Sequence, residues 1–343
     1  MNGKRRILLI GLSVVLLAGL GWLSWLPRDP LFHGKPESEW IKGIAYGMSL
    51  SEDLNKEQIR RWGDLGSEGL RVLERGLNAS DGRTYRKLHR RLSARLPWAL
   101  MRLLPAPKMD ATSGTRQTLL SLLWRMGKDA RPAWPAVARA LADENPEVRQ
   151  SAITFFTHPE DDTAFLNQMP VSQKKLLLPL FIRAIADKGA NWGLRNNAAL
   201  ALKYYPEEAS LAAPALAKAL QDPAPYVRLV SAEALNRVDA AAAKRAGAAT
   251  VLIQLLQNPD DQVAARAALV LRQFQDDADA VLPALIAAMH GTNSHVGCNA
   301  VWSLEWAFPQ QSDRIIPELR KAAERKDNVG GYARVALKRL ESR

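Results

Sequence analysis

What most limits how this 343-residue chain can fold is a recurrence. Val148-Arg149, Val227-Arg228, Val263-Ala264, Val296-Gly297 and Val329-Gly330 each open a stretch in which small residues return at helical spacing, and the last four valines lie 36, 33 and 33 residues apart. Val227 is followed by Ala232, Ala234 and Leu235; Val263 by Ala267, Ala268 and Leu271; Val296 by Ala300, Val301 and Leu304; Val329 by Ala333, Ala336 and Leu337. Offsets of four, five, seven and eight share one face of an α-helix. Small side chains there let another helix approach closely. A unit that cannot bury such a face alone, and that returns at this period, stacks into a solenoid.

Two weaker members fit the same template: Leu194 with Arg195, Ala198, Ala199, Ala201 and Leu202, and Thr115 with Arg116, Leu119, Leu120, Leu122 and Leu123. A proline precedes several members by a similar interval, Pro135, Pro214 and Pro283 by thirteen positions and Pro317 by twelve, while Pro179 stands fifteen before Leu194. These prolines read as openers of a first helix, because the missing N–H costs little in the first turn. Asp143-Glu144-Asn145-Pro146, Gln221-Asp222-Pro223, Asn258-Pro259-Asp260-Asp261 and Asp327-Asn328 then end that helix and cap the second. No convincing alternating strand is present. The pattern predicts an all-α chain of about seven helical pairs: residues 67–126 with an inserted helix, 130–157, 172–204, 207–237, 244–274, 277–307 and 312–342.

In these residues, above all Gly127-Lys128-Asp129-Ala130 through Ala152 and Ala213-Pro214 through Leu235, the chain resembles the HEAT-repeat family, including the short HEAT-like units first noted in phycobilisome lyases. The resemblance covers about residues 64–343. It implies an α-solenoid of the armadillo-type superhelical kind whose second helices line a concave side. It also implies that the arginine after the valine pairs with the turn aspartate, Arg149 with Asp143 and Arg228 with Asp222, as structural links. Ala264, Gly297 and Gly330 replace that arginine later, so the ladder should stop midway.

The N-terminus reads as a membrane address. Lys4-Arg5-Arg6 precede the uncharged run Ile7–Leu26, which spans roughly 30 Å as a helix. Residues 1–6 form a cytoplasmic basic flank, 7–26 a single-pass signal anchor, 27–63 a tether and cap with Gly34-Lys35-Pro36 and Trp40, and 64–343 the exported solenoid. The competing reading is cleavage near Gly21 and secretion. Cys298 is the only cysteine, which excludes a lipoprotein and any intrachain disulfide.

No catalytic, cofactor-binding or metal-ligating constellation is found. The HEAT-type hydroxylases use His-Glu pairs, whereas the five histidines here stand as His33-Gly34, His89-Arg90, His158-Pro159, His290-Gly291 and His295-Val296. Cys298 reads as a small packing residue rather than a nucleophile. A lyase or other enzyme acting on a bound cofactor is therefore the alternative suggested by family name alone.

Two faces are candidates for binding. Offsets three, six and ten from the valine point away from the packing face, and in the later units they carry Arg266, Asn299, Trp302, Trp306, Tyr332 and Arg339. Aromatic and arginine clusters are the usual anchors of protein interfaces, so a protein or peptide partner is expected on this concave face. Residues 60–102 hold eleven Lys or Arg against four acids, a surplus of seven. Within them an inserted basic helix, residues 82–104, offers Arg83, Arg86, Lys87, Arg90 and Arg91 to anionic lipid headgroups. Some basic HEAT-like arrays bind nucleic acid, but charge confined to one insertion and an exported solenoid speak against that here.

Overall fold

The computed structural model describes residues 30–47, 52–78, 113–157, 166 and 169–342. The chain divides into two compact units, residues 1–140 and 141–343. The expected anchor at residues 7–26 and the basic insertion at 82–104 lie outside the described residues, and no described helix is long and apolar enough to cross a membrane.

The first unit opens with a two-residue-stranded hairpin where a tether was expected. β1 (Leu31–Phe32) pairs antiparallel with β2 (Lys35–Pro36). The linking residues His33 and Gly34 both take positive φ, 46° and 76°, as a tight hairpin turn of this handedness demands. Strands this short carry no alternation, so no periodicity in the sequence could announce them. The hairpin is pinned by Trp40 on α1 (Glu37–Gly47), whose Nε1 donates to the Phe32 carbonyl at 2.9 Å. Trp40 meets Phe32 and Trp62 edge to face, and the Arg61 guanidinium lies 4.5 Å from its ring centre. Trp62 belongs to α2 (Glu52–Asp64) and is buried.

Next come α3 (Gly66–Asn78) and α4 (Ser113–Arg125). Buried Glu37 is ion-paired with Arg75 of α3. A Cβ on Gly76 would meet Ile41 and Leu119 side-chain atoms at 2.8 and 2.9 Å, so glycine sets how closely α1, α3 and α4 pack. Leu119, Leu120, Leu122 and Leu123 are fully buried, as the weak Thr115 template implied. A 3-10 turn, Gly127–Ala133, leads into α5 (Trp134–Ala140).

The second unit is a run of helical pairs: α6 (Pro146–Phe156); α7 (Val171–Ile185) with α8 (Trp192–Leu202); α9 (Ala209–Ala219) with α10 (Pro225–Val238); α11 (Ala240–Arg245) and α12 (Ala248–Leu255) with α13 (Asp261–Val270); α14 (Ala278–His290) with α15 (Ser294–Ala307); α16 (Ser312–Ala323) with α17 (Asn328–Glu341). Gly247, at φ 71°, splits one first helix into α11 and α12. The recurring valines are at most 4% exposed, and Ala232, Ala234, Ala267, Ala268, Ala300, Ala333 and Ala336 are fully buried. Asn145, Asp260 and Asp327 each cap a second helix through the side chain, as the turn residues predicted, and Asn191 and Asn293 do the same; α10 differs, with Ala224 at its N-cap and no side-chain cap from the Gln221-Asp222-Pro223 turn.

Pro135 stands second in α5, as an opener should, but the other four prolines sit deeper than expected. Pro214, Pro283 and Pro317 are each the sixth residue of α9, α14 and α16, and Pro179 is deeper still in α7. Short 3-10 turns at Pro206–Glu208, Gln275–Asp277 and Pro309–Gln311 precede three of these helices, which start earlier than the prolines suggest. All four prolines are exposed. On a solvent-facing side water can satisfy the carbonyl that proline leaves unpaired.

The arginine ladder exists but runs differently. Arg149 donates to the Asp143 and Glu144 backbone carbonyls, and its carboxylate partner is Asp187 in the next turn, at 2.5 Å. Arg195 likewise binds the Ala190 carbonyl and reaches forward to both oxygens of Asp222. Arg228 takes the Asp222 and Pro223 carbonyls. Where the next unit would supply a matching aspartate the sequence has Asn258. At the C-terminal end the direction reverses. Arg325, in the turn before α17, donates back to the Met289 and Gly291 carbonyls while Asp327 holds its guanidinium.

Candidate functional site

The second helices α13, α15 and α17 stand side by side, knitted by Asn299 Nδ2 to the Ala265 carbonyl at 2.9 Å and by Ser303 Oγ to the Ala268 carbonyl at 2.8 Å. Their buried faces use the small offsets, and this turns offsets three, six and ten outward. Trp302 is 41% exposed, Trp306 54%, Tyr332 56% and Val335 51%, four of the nine exposed large apolar side chains among the described residues and grouped on two neighbouring helices. Trp302 and Trp306 are one turn apart on α15; on α17 Val335 occupies the row of Trp302, with Tyr332 one turn before it in the row of Asn299.

Around this ridge lie cations. Arg266 on α13 is half exposed and makes a loose 3.5 Å contact with Glu233 of α10. Arg339 reaches Glu305 of α15 at 3.1 Å, with the carboxylate buried and the guanidinium exposed. A shallow cleft along α17 is lined by Gly331, Arg334, Val335, Lys338, Arg339 and Ser342. Thus the structure gathers Asn299, Trp302, Trp306, Tyr332 and Arg339 on two adjacent helices, with Arg266 on the third. Asn299, half-buried and bonded to a neighbouring carbonyl, serves as a rung rather than a free contact.

Sequence reasoning missed offset nine, which reaches into the following unit. Asn236 donates to the Gln273 carbonyl, the Arg272 guanidinium lies 5.3 Å from the Trp302 ring centre, and Glu305 takes Arg339. The aligned offsets of the valine template held this signal, but only the packed stack shows which row faces the next helix. The outward assignment also fails at Val230, offset three in α10, which is 3% exposed. Arg83, Arg86, Lys87, Arg90 and Arg91 lie outside the described residues.

The chemistry here is that of a surface. Among the described residues no three His, Cys, Asp or Glu side chains could together hold a metal ion. The Cys298 thiol is pushed up by burial and by the charge of Asp327, with Arg325 opposing, which is the reverse of what activates a nucleophile. His290 ends α14 and meets Glu318 at 3.0 Å on an exposed flank.

No curated protein matches the chain. Among solved structures, an engineered protein is 16% identical at a TM-score of 0.45, over 89% of this chain and 95% of its own. The archaeal HEAT-like repeats protein from Thermococcus onnurineus NA1 is 13% identical at 0.41, over 67% and 97%. The complex of CpcE and CpcF of phycocyanin lyase from Nostoc sp. PCC7120 is 15% identical at 0.40, over 87% and 97%. Residues 249–338, which include Trp302, Trp306, Tyr332 and Val335, match the family of HEAT repeats. By that match, residues 249–338 carry HEAT repeats, and the helical pairs before them repeat the same helix–turn–helix pattern.

Proposed function

We propose that this protein is a membrane-anchored, non-catalytic scaffold whose later HEAT units hold an acidic protein or peptide segment. The supporting observation is the ridge of Trp302, Trp306, Tyr332 and Val335, each more than 40% exposed. Large apolar side chains grouped on two adjacent helices are costly to leave in water and typical of interface anchors. Arg266, Arg334, Lys338 and Arg339 surround them and favour a negatively charged partner. Residues 7–26 would hold the solenoid at the membrane with its C-terminus exported, and a topology reporter after Arg343 tests that orientation.

The decisive experiment is cross-linking in the native membrane with the parent chain and with Trp302, Trp306 and Arg266 changed together to alanine. Loss of the captured species with helicity intact supports the face. Capture of the same species by the triple variant places the interface elsewhere.

A further inference from the structure

A groove on the opposite set of helices has a polarity of its own. It lies between the first helices α7 and α9, has a volume of about 620 Å³, and falls in the range of small-molecule sites. Its floor and walls are aliphatic: Ile182 and Ile185 from α7, and Leu211, Pro214 and Ala215 from α9. Leu211 is 59% exposed although it lines this cleft, so the groove presents unfilled apolar surface.

The two helices run toward their turns together, and the polar residues collect at that end. Lys188 follows α7, and Lys218 lies in the last turn of α9. Both are exposed, and neither has an ion-pair partner among the described residues. The carboxylate nearby, Asp222, is consumed by Arg195 through bonds of 2.6 and 3.0 Å, and it also accepts from the Ala224 amide. The lining therefore carries two uncompensated positive charges at one end and none along the aliphatic stretch. From Leu211 to Lys218 the helix rises about 10 Å, the reach of a medium-length acyl chain.

The geometry points to a binding site for a single-chain aliphatic carboxylate, with its tail along Ile182, Leu211 and Pro214 and its head between Lys188 and Lys218. Apolar contact alone would accept any alkyl chain; the two ammonium groups select the anionic head, as charge complementarity at a partly desolvated site does. The site is independent of the aromatic ridge on α15 and α17.

Calorimetric titration of the full chain with decanoate, decanol and decylammonium, below their aggregation concentrations, tests the assignment. Decanoate should bind saturably at one site and at least about tenfold more tightly than decanol, with decylammonium weaker still. The K188E/K218E variant, altered only at exposed positions, should lose decanoate binding at least tenfold while its thermal midpoint and helicity match the parent; Leu211→Asp should abolish it. Equal affinity for decanol, unchanged affinity in K188E/K218E, or no saturable binding overturns the proposal. So does competition in which an amphipathic Glu- and Leu-built peptide occupies the groove and decanoate does not. Changing Trp302 and Trp306 to alanine should leave decanoate binding intact, so that failure of the scaffold reading and failure of this one are told apart.

Discussion

Arg195 grips both carboxylate oxygens of Asp222, Nε to Oδ2 at 2.6 Å and Nη2 to Oδ1 at 3.0 Å, across the junction between one helical pair and the next. Both side chains are under 10% exposed. The pair thus does for two units what a covalent strap would do, without covalent geometry. Burial pushes the Asp222 carboxyl up, but the Arg195 hydrogen bonds, the Ala224 amide and the charges of Arg195 and Arg228 together bring it below its ordinary value.

Removing one partner should therefore hurt more than removing both. Arg195→Met alone leaves a buried carboxylate and should cost about 3 kcal/mol. The double change R195M/D222L should cost clearly less than the sum of the single changes. Urea unfolding of the four members of the cycle measures this. Additive losses would mean that the pair is not a coupled link.

The reversed contact at Arg325 makes stability depend on acid. The Arg325 guanidinium, assisted by the Gly330 amide and by Ser294, holds the Asp327 carboxyl down at about 2. An unfolded aspartate titrates near 3.9. A depressed value means that the stabilisation is fully present above about pH 4 and is lost as pH falls toward 2. Asp327→Asn removes the titrating group, so the difference in thermal midpoint between parent and variant should shrink across that window. An NMR titration placing the Asp327 carboxyl near 4 would remove the basis for the effect.

Adjacent glycines in α17 should respond oppositely to alanine. A Cβ on Gly330 would lie 2.1 Å from the Arg325 carbonyl oxygen, which is backbone and cannot turn aside, whereas nothing lies within 4 Å of one on Gly331. Gly331→Ala should stabilise by about 0.5 kcal/mol through helix propensity. Gly330→Ala should destabilise by about 2 kcal/mol as the turn is forced from the helix. Thermal unfolding of the two variants gives the signs directly.

Much of this was legible in the sequence, and the rest failed for identifiable reasons. Positions four, five, seven and eight after Val148, Val227, Val263 and Val296 are buried because a single helix fixes its own faces, while after Val329 Ala333 and Ala336 are buried but Arg334 is exposed; Ala267, Ala268 and Leu271 needed no neighbour to be placed. Trp302, Trp306 and Tyr332 were readable as exposed for the same reason. What depends on the stagger between units was not readable. The Arg149 partner is Asp187 rather than Asp143, and Arg272 covers Trp302, because only the packed stack decides which row meets which turn. The proline positions misled in another way: the 3-10 turn at Pro206–Glu208 lets α9 begin before Pro214.

Glu305 and Arg339 connect the stability of the last two units to the proposed face. The Glu305 side chain is 4% exposed and that of Arg339 55%, so the arginine shields a carboxylate that water barely reaches. Exposure of the guanidinium weakens the pair relative to the Arg195 link. Arg339→Ala should therefore cost about 1–2 kcal/mol, mostly as an unpaired buried charge, and E305Q/R339A should recover much of it. The same variants separate two roles in partner capture. If Arg339 only holds α15 against α17, capture lost in R339A returns in E305Q/R339A along with the stability. Should capture stay lost while stability returns, the guanidinium itself contacts the partner. Cross-linking yield and thermal midpoint, measured on the same three proteins, decide between these roles.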